Sequence, residues 1–459
     1  MFLGVDLVDL AEMVANKEIS AREVLLEVDL ALKSSNKEIG AFVSVDLERS
    51  MDAADRLDQA IAKREIYGRL LGVPFGVKDL EDAVGFTTTK GSALYRSDPP
   101  AQIDSIMVER LKSQGAIVVG KTNAPEFGLR SETDNAIFGP TRNPLDLTRT
   151  AGGSSGGSAA AVSAGIVPLA TGSDGGGSIR IPSAACGISG FKCSLGLIPV
   201  VPTKGSWIDL SCVGPIAATL KEISYVLDEV VGPDDRDFRS RDRPYGLFYQ
   251  HWALKVPPRR VLASKTLGYA STTDDVSAGF DQAVRLLESQ GIGVEVVEDV
   301  LDADPIESYM TLALAYTLSG IEDDLNDRGW EEIEPENRQW LEHVRELKAS
   351  DLLDAQGLAQ KISLRFVEKM VDFDLLMTPT CASIPPVISK DQGPVKPSDA
   401  NWVSFTYPFN MTRAPAATVP FYPREAAMPV GVQLVGRVGR DLELMTYASF
   451  VEALFMENM

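Results

Sequence analysis

One stretch, residues 150–182, constrains this chain more than any other. It reads TAGGSSGGSAAAVSAGIVPLATGSDGGGSIRIP and holds two serines in glycine-rich turns, Ser154 in GGSSGG and Ser178 in SDGGGS. Between the turns, residues 158–165 are rich enough in alanine for a tightly packed helix, and residues 166–171 are apolar and β-prone enough for a buried strand. A turn–helix–strand–turn order can bring the two serines together, because glycine permits close backbone approach at such turns.

A serine hydroxyl beside a run of backbone N–H groups suits acyl transfer, because it supplies both a nucleophile and donors for the oxyanion. Taken alone, GGSSGG or GGGS would equally suit a flexible linker. The linker interpretation fails here, since a compact apolar segment separates the two turns and IRIPSAACGISGFK follows the second. The stretch therefore predicts a catalytic serine site.

The base of such a site is not expected to be a histidine. Residues 152–156 match the G-x-S-x-G nucleophile elbow, which requires a strand directly before it and a histidine after it. The preceding TRNPLDLTRTA is loop-like instead. The two histidines of the chain, His251 and His343, lie in polar or charged stretches typical of solvated positions. Another residue type must take the proton.

Lysine 78 is the candidate base. Lys78 ends residues 70–78, LLGVPFGVK, an apolar run with proline and glycine that predicts a buried strand. Burial lowers the pKa of a lysine because it penalises the ammonium, and a neutral lysine is a competent general base. From this stretch alone, a lysine that reaches the surface from a strand end remains an alternative.

A set of motifs then points to a known family. GVPFGVKD, GKTNAPEFG, FGPTRNP, AGGSSGGSAAAV and GSDGGGSIRIPSAACGISGFK, in this order, resemble the amidase signature family, and MPVGVQLVGR resembles its C-terminal segment. The resemblance covers nearly the whole chain. It implies a Ser–cisSer–Lys catalytic unit, with Ser178 as the nucleophile, Ser154 as the bridging serine in a cis peptide and Lys78 as the base.

The resemblance also implies the surroundings of the nucleophile. An oxyanion hole is expected at three successive backbone amides, those of Gly175, Gly176 and Gly177. Substrate is expected to contact five mostly apolar positions: Phe127, Gly128, Leu129, Ile179 and Trp207. Asp174 and Arg180 are expected to support the nucleophile turn, with the Asp174 carboxylate accepting hydrogen bonds from backbone amides. Arg413 stands where many relatives have glycine. The sequence allows its side chain either to reach the pocket or to lie on the surface.

The fold implied by the resemblance is a single α/β domain over residues 1–459, with a twisted mixed β-sheet flanked by helices on both faces. Its signature core is placed at about residues 65–215. A variable, helix-rich region at about residues 300–372 is expected to cover the substrate entrance. Residues 214–232 are predicted to be a helix that follows a short loop.

Charge and composition narrow the possible partners. The formal net charge of −21 argues against nucleic acid and anionic membranes as partners. The N-terminal MFLGVDLVDL lacks the basic residues of a signal peptide, and no run of 18 apolar residues predicts a membrane span. The four cysteines show no metal-ligand spacing, so we expect no metal or organic cofactor and a reducing cytoplasm. A monomer or homodimer that acts on small molecules is expected.

The nucleophile turn GGGSIRIP is similar to that of aryl-acylamidases, nylon-oligomer hydrolases and urethane-cleaving relatives. The resemblance therefore implies a serine hydrolase that cleaves C–N bonds of neutral aryl or alkyl amides, and also carbamates and esters. Charged substrates such as free glutamine or malonamate are expected to be poor, since no cation in the pocket is assured. One alternative is the glutaminase component of a tRNA-dependent amidotransferase, and another is a non-catalytic binding protein on the same fold.

Overall fold

The computed structural model describes residues 5–65, 68–205, 207–388, 400–423 and 428–458. Fifteen α-helices occur in these ranges, and their bounds are as follows: α1 Leu7–Ala15, α2 Ala21–Ala31, α3 Lys37–Ile39, α4 Leu47–Lys63, α5 Ile106–Ser113, α6 Gly156–Ser163, α7 Arg180–Ala185, α8 Leu220–Val230, α9 Phe248–Leu254, α10 Asp274–Ser289, α11 Ile306–Arg328, α12 Pro335–Val344, α13 Ala349–Lys369, α14 Pro408–Met411 and α15 Asp441–Glu457. Among the same residues, no helix combines the length and apolar character needed to cross a membrane.

The described ranges also contain thirteen strands: β1 Phe42–Val45, β2 Pro74–Lys78, β3 Ile117–Thr122, β4 Arg142–Asn143, β5 Asp146–Thr150, β6 Leu169–Asp174, β7 Gly190–Lys192, β8 Cys212–Ile216, β9 Arg260–Ala263, β10 Gly293–Val296, β11 Leu375–Pro379, β12 Ala416–Phe421 and β13 Val430–Val435. They form a five-stranded sheet in the order β1-β3-β2-β6-β8, a six-stranded sheet in the order β10-β9-β11-β13-β12-β7, and the hairpin β4-β5. The two large sheets lie side by side where β7 contacts β8.

Both large sheets are mixed. Strand β2 runs parallel to β3 and β6, whereas β1 and β8 join that sheet antiparallel. In the other sheet β9 is parallel to β10 and β11, and the remaining pairs are antiparallel. Helices cover both faces, so the predicted α/β class with a mixed sheet core is confirmed.

Strand β2 lies at the centre of its sheet, and every residue in it is buried. The Phe75 and Val77 side chains point to one face and pack in the main core, whereas Gly76 lies against the Phe42 ring on the opposite face, the one that Lys78 shares. This arrangement carries Lys78, the last residue of β2, into the interior.

One prediction was wrong in part. The expected helix over residues 214–232 begins only at Leu220, where Thr219 and Glu222 form a capping box. Its first residues belong to β8, which pairs antiparallel with β6. Pairing with β6, a partner about 40 residues earlier in the chain, decides this conformation.

Helices α11, α12 and α13 form a layer over residues 306–369, which we call the helical cover. Apolar residues of α11, among them Leu318 and Ile321, pack on Tyr95 and Phe127. The cover therefore lies against the segment that follows β2 and against the loop after β3.

Candidate active site

The end of β2 brings Lys78 to the first serine turn. Lys78 Nζ lies 2.8 Å from Ser154 Oγ and 2.9 Å from Ser173 Oγ. The Lys78 side chain is fully buried. Ser173 belongs to β6, the parallel neighbour of β2, and no sequence pattern had singled it out. The lysine amine is thus held between two hydroxyl groups that come from different parts of the chain.

The two serine turns meet through backbone contacts. The Gly153–Ser154 peptide bond is cis, as the resemblance implied. The next residue, Ser155, donates its backbone N–H to the Ser178 carbonyl at 3.3 Å. Ser154 and Ser178 line one cavity. Among the described residues no hydrogen bond joins their hydroxyl groups, so a proton relay requires the two to approach when substrate binds.

The environment of Lys78 favours the neutral amine. Burial lowers the pKa of Lys78 to about 7, although the charges of Glu81 and Asp174 act in the opposite direction. Burial also raises the pKa of Glu81 to about 7. Neither carboxylate oxygen of Glu81 has a hydrogen-bond partner among the described residues. A lysine with this pKa is available as a proton acceptor near neutral pH.

Asp174 and Arg180 form a fully buried ion pair behind the nucleophile turn, at 2.8 Å. Burial by itself raises the pKa of Asp174, but the charge and hydrogen bonds of Arg180 outweigh it and hold that pKa well below its usual range. The carboxylate also accepts from the Gly177 amide at 2.8 Å. Asn410 donates to the same carboxylate at 2.9 Å, and Gln433 accepts from Arg180 at 2.6 Å. Sequence reasoning missed both amide side chains.

The nucleophile turn departs from the expected oxyanion hole at one position. The Gly177 N–H already donates to the Asp174 carboxylate, so it is engaged away from the oxyanion that it was expected to hold. The other two positions, 175 and 176, require glycine for lack of space. A Cβ at Gly175 would overlap the Trp207 ring, and one at Gly176 would overlap the Tyr309 hydroxyl.

Two cavities flank Ser178. The larger has a volume of about 270 Å³ and is lined by both serines and by Phe127, Gly128 and Trp207. Its other walls include Leu80, Val213 and Ile321, with the polar side chains of Glu81, Lys90, Lys204 and Arg239.

The smaller cavity has a volume of about 100 Å³ and is lined by Ser178 but not by Ser154. Its walls include the charged residues Arg130 and Glu132 but are mostly apolar or aromatic: Leu129, Ile181, Ile306, Tyr309, Met310, Trp340 and Tyr407. The helical cover supplies four of these residues, so the wall of the smaller cavity is formed jointly by the cover and the signature segment.

Several candidate residues lie away from the cavities. The Ile179 side chain is fully buried against Gly172 and Gly214, so its predicted contact with substrate is corrected to a packing role. Arg413 is half-exposed and pairs with Asp209 at 2.8 Å. His251 contacts Thr446, and His343 is exposed on α12. All four cysteines are buried and free.

Comparison with known proteins gives the family. The Amidase family model matches residues 23–445. An acylamidase of Rhodococcus erythropolis is 33% identical, over 96% of this chain and 94% of that protein. A glutamyl-tRNA(Gln) amidotransferase subunit of Chlamydia trachomatis serovar L2 is 31% identical, over 95% and 92%. A solved bacterial aryl acylamidase matches with a TM-score of 0.91 at 28% identity, over 98% of this chain and 96% of that one.

The chain therefore belongs to the amidase signature family, and the resemblance found in the sequence is confirmed. As a member of that family it is an amidase.

Proposed function

We propose that this amidase is a serine hydrolase that cleaves neutral aryl and alkyl amides, together with small carbamates and activated esters, through an acyl-enzyme. The observation that carries the proposal is the contact of a fully buried Lys78 amine with Ser154 at 2.8 Å. Only a base that is neutral near pH 7 can work from such a position, and the lowered pKa of Lys78 meets that condition.

The reaction follows from the order of the three groups. Lys78 takes the Ser154 proton while Ser154 takes the Ser178 proton, and Ser178 Oγ attacks the carbonyl carbon. The amides of Gly175 and Gly176 stabilise the oxyanion. The C–N bond then breaks as Ser154 protonates the leaving nitrogen and recovers a proton from Lys78. Water attacks the Ser178 ester through the same relay and releases the acid.

The two cavities define how substrate lies. Ser154 must reach the leaving nitrogen, and Ser154 lines only the larger of the two cavities. The amine portion therefore occupies the larger cavity and the acyl portion the smaller. A volume of about 100 Å³ with aromatic walls favours a short, uncharged acyl group.

The domain and partner assignments belong to the same proposal. Residues 1–459 act as one catalytic domain, with the signature core at about 65–215 and the entrance region at about 300–372. The domain acts on small molecules as a monomer or a homodimer, without nucleic acid.

The glutaminase component of an amidotransferase is the second candidate, favoured by the 31% identity to the Chlamydia amidotransferase protein. Comparing kcat/KM for acetanilide and for glutamine distinguishes the two. We expect the anilide value to exceed the glutamine value by at least about 10²-fold, which corresponds to roughly 2.7 kcal/mol in the barrier. Equal or faster turnover of glutamine would replace the first proposal by the second.

A further inference from the structure

The larger cavity contains a cation that the reaction does not use. Lys90 lines this cavity together with Ser154 and Ser178. Among the described residues its ammonium makes no ion pair and no hydrogen bond. Its nearest partner is the face of the Tyr95 ring, with Nζ 4.4 Å from the ring centroid. A cation over an aromatic face keeps its capacity to bind an acceptor.

The other charges of this cavity are already engaged. Lys204 pairs with Asp323 at 3.0 Å, and Arg239 pairs with Asp237 at 3.2 Å. Among the described residues of the cavity wall, Glu81 is the one carboxylate, and neither of its oxygens makes a hydrogen bond or an ion pair with Lys90. Of the cations that the structure describes in this wall, Lys90 is therefore the one that has no ion-pair partner.

Two of the acidic groups near Lys90 have partners of their own. Asp324 accepts from the Tyr95 hydroxyl at 2.7 Å, and Asp98 accepts from Arg328 at 2.6 Å. Burial lowers the pKa of Lys90, while the charges of Asp324, Asp82 and Asp98 act to raise it. None of these carboxylates contacts the ammonium, so its N–H groups remain available to an acceptor that enters the cavity.

The backbone fixes Lys90 in an unusual conformation. Lys90 and Phe127 both have positive φ, 53° and 54°, and the Phe127 N–H donates to the Lys90 carbonyl at 2.8 Å. Two strained residues, bonded to each other, thus hold two side chains in the wall of one cavity. Such strain persists where the surrounding structure fixes it, and it is concentrated at functional sites.

We propose that Lys90 forms an anion subsite for the leaving group, so that the enzyme accepts, beyond the neutral amides of the proposed function, amides whose amine portion carries a carboxylate or a similar anion. This inference rests on the proposed function, because Ser154 chemistry places the amine portion in the larger cavity. It concerns the amine portion alone. An anionic acyl group remains disfavoured, because Arg130 in the wall of the smaller cavity is already paired with Glu334 and Glu336.

The test uses 4-acetamidobenzoate and its neutral isostere 4-acetamidobenzamide. Lys90→Met should lower kcat/KM for the anion at least about 10-fold and for the neutral amide less than about threefold, because a charge-assisted contact is lost. Lys90→Arg should keep the wild-type ratio within about threefold. Lys265→Met, which removes a cation paired with Asp281 outside the cavity, is the control for net charge and should leave the ratio unchanged. Equal losses on both substrates, or no loss, would overturn the proposal.

A binding measurement separates this inference from the proposed function. Calorimetry with Ser178→Ala should detect 4-acetamidobenzoate binding that weakens at least about 10-fold when Lys90→Met is added, and that weakens with added salt. This readout holds even if neither amide is hydrolysed, an outcome that would defeat the proposed function alone. Unchanged binding in the double variant would overturn the anion subsite.

Discussion

Two charge clusters in this molecule differ in how deeply they are buried and in how completely their polar atoms are paired. Asp174 and Arg180 are fully buried, and their polar atoms are paired with each other, with backbone amides and with amide side chains. Arg130, which pairs with Glu334 and Glu336 where the helical cover meets the loop after β3, leaves its Nε without a partner among the described residues. The first cluster supports the nucleophile turn, and the second joins a wall of the smaller cavity to its cover.

This difference indicates which part of the enzyme has a single side-chain arrangement and which part can adopt several. We call β2, β6 and the serine turns at 150–155 and 174–178 the catalytic floor. Fully paired buried charges give one arrangement a large energetic advantage, whereas partly paired ones leave alternatives of similar energy. Substitutions in the catalytic floor should therefore be strongly destabilising or inactivating, and substitutions in the helical cover should have smaller effects.

The largest expected effect tests the floor directly. Ser178→Ala should abolish turnover, and Ser154→Ala and Lys78→Ala should each lower kcat on the order of 10⁴-fold or more, because relay and nucleophile act as a unit. Steady-state kinetics on acetanilide measures this, with thermal unfolding to show that each variant is folded. Near-normal activity in Lys78→Ala would remove the lysine from the relay.

The next prediction compares the two charge clusters. Arg180→Met should cost about 3–5 kcal/mol of unfolding free energy, because it leaves the Asp174 carboxylate buried and uncompensated. Arg130→Met should cost about 1–2 kcal/mol, since burial raises the pKa values of Glu334 and Glu336 and both can take up a proton. Urea unfolding followed by tryptophan fluorescence gives both numbers. Similar costs would show that the two clusters are equivalent.

A third prediction concerns pH. Only neutral Lys78 accepts a proton, so kcat/KM should fall as pH drops through about 7, the pKa of Lys78. The Glu81 charge raises that pKa, so Glu81→Gln should move the acid limb to lower pH by about half a unit or more. Asp82→Asn, one residue along and exposed, is the matched control and should leave the limb in place. A shift toward higher pH in Glu81→Gln would contradict the assignment.

The prediction with the smallest expected effect compares an alanine substitution at a glycine of the helical cover with one at a glycine of the catalytic floor. Gly357→Ala, in the middle of α13 with open space around it, should stabilise the protein by about 0.5–1 kcal/mol and leave activity unchanged. Gly176→Ala is its counterpart and should lower kcat, since the new methyl group meets the Tyr309 hydroxyl. Thermal unfolding and anilide kinetics on the two variants measure the contrast, which fails if both behave alike.

Much of this floor could be predicted from sequence because its signals are local. Lys78 and the two serines lie in short motifs, and the burial of β2 follows from its apolar run. The alanine-rich and apolar segments between the serines correspond to α6 and β6, with bounds shifted by a few residues.

What sequence could not provide depends on distant partners. Asn410 and Gln433 reach the Asp174–Arg180 pair from more than 200 residues away, and no local pattern marks them. The strand β8 looked helical because its pairing with β6 is a tertiary contact. Ile179 looked like a pocket residue because it adjoins the nucleophile, yet its side chain turns into the core. Lys90 stands out only once its surroundings in the folded chain are visible.

Strand β6 ends in two adjacent residues that serve different purposes. Ser173 reaches Lys78, whereas Asp174 reaches Arg180, because successive side chains of a strand point to opposite faces. Inserting or deleting one residue between Leu169 and Asp174 would exchange these faces and disable both partners at once. Insertions and deletions among homologues of this chain are therefore expected outside this strand. A homologue with an alignment gap inside the strand is expected to be catalytically inactive.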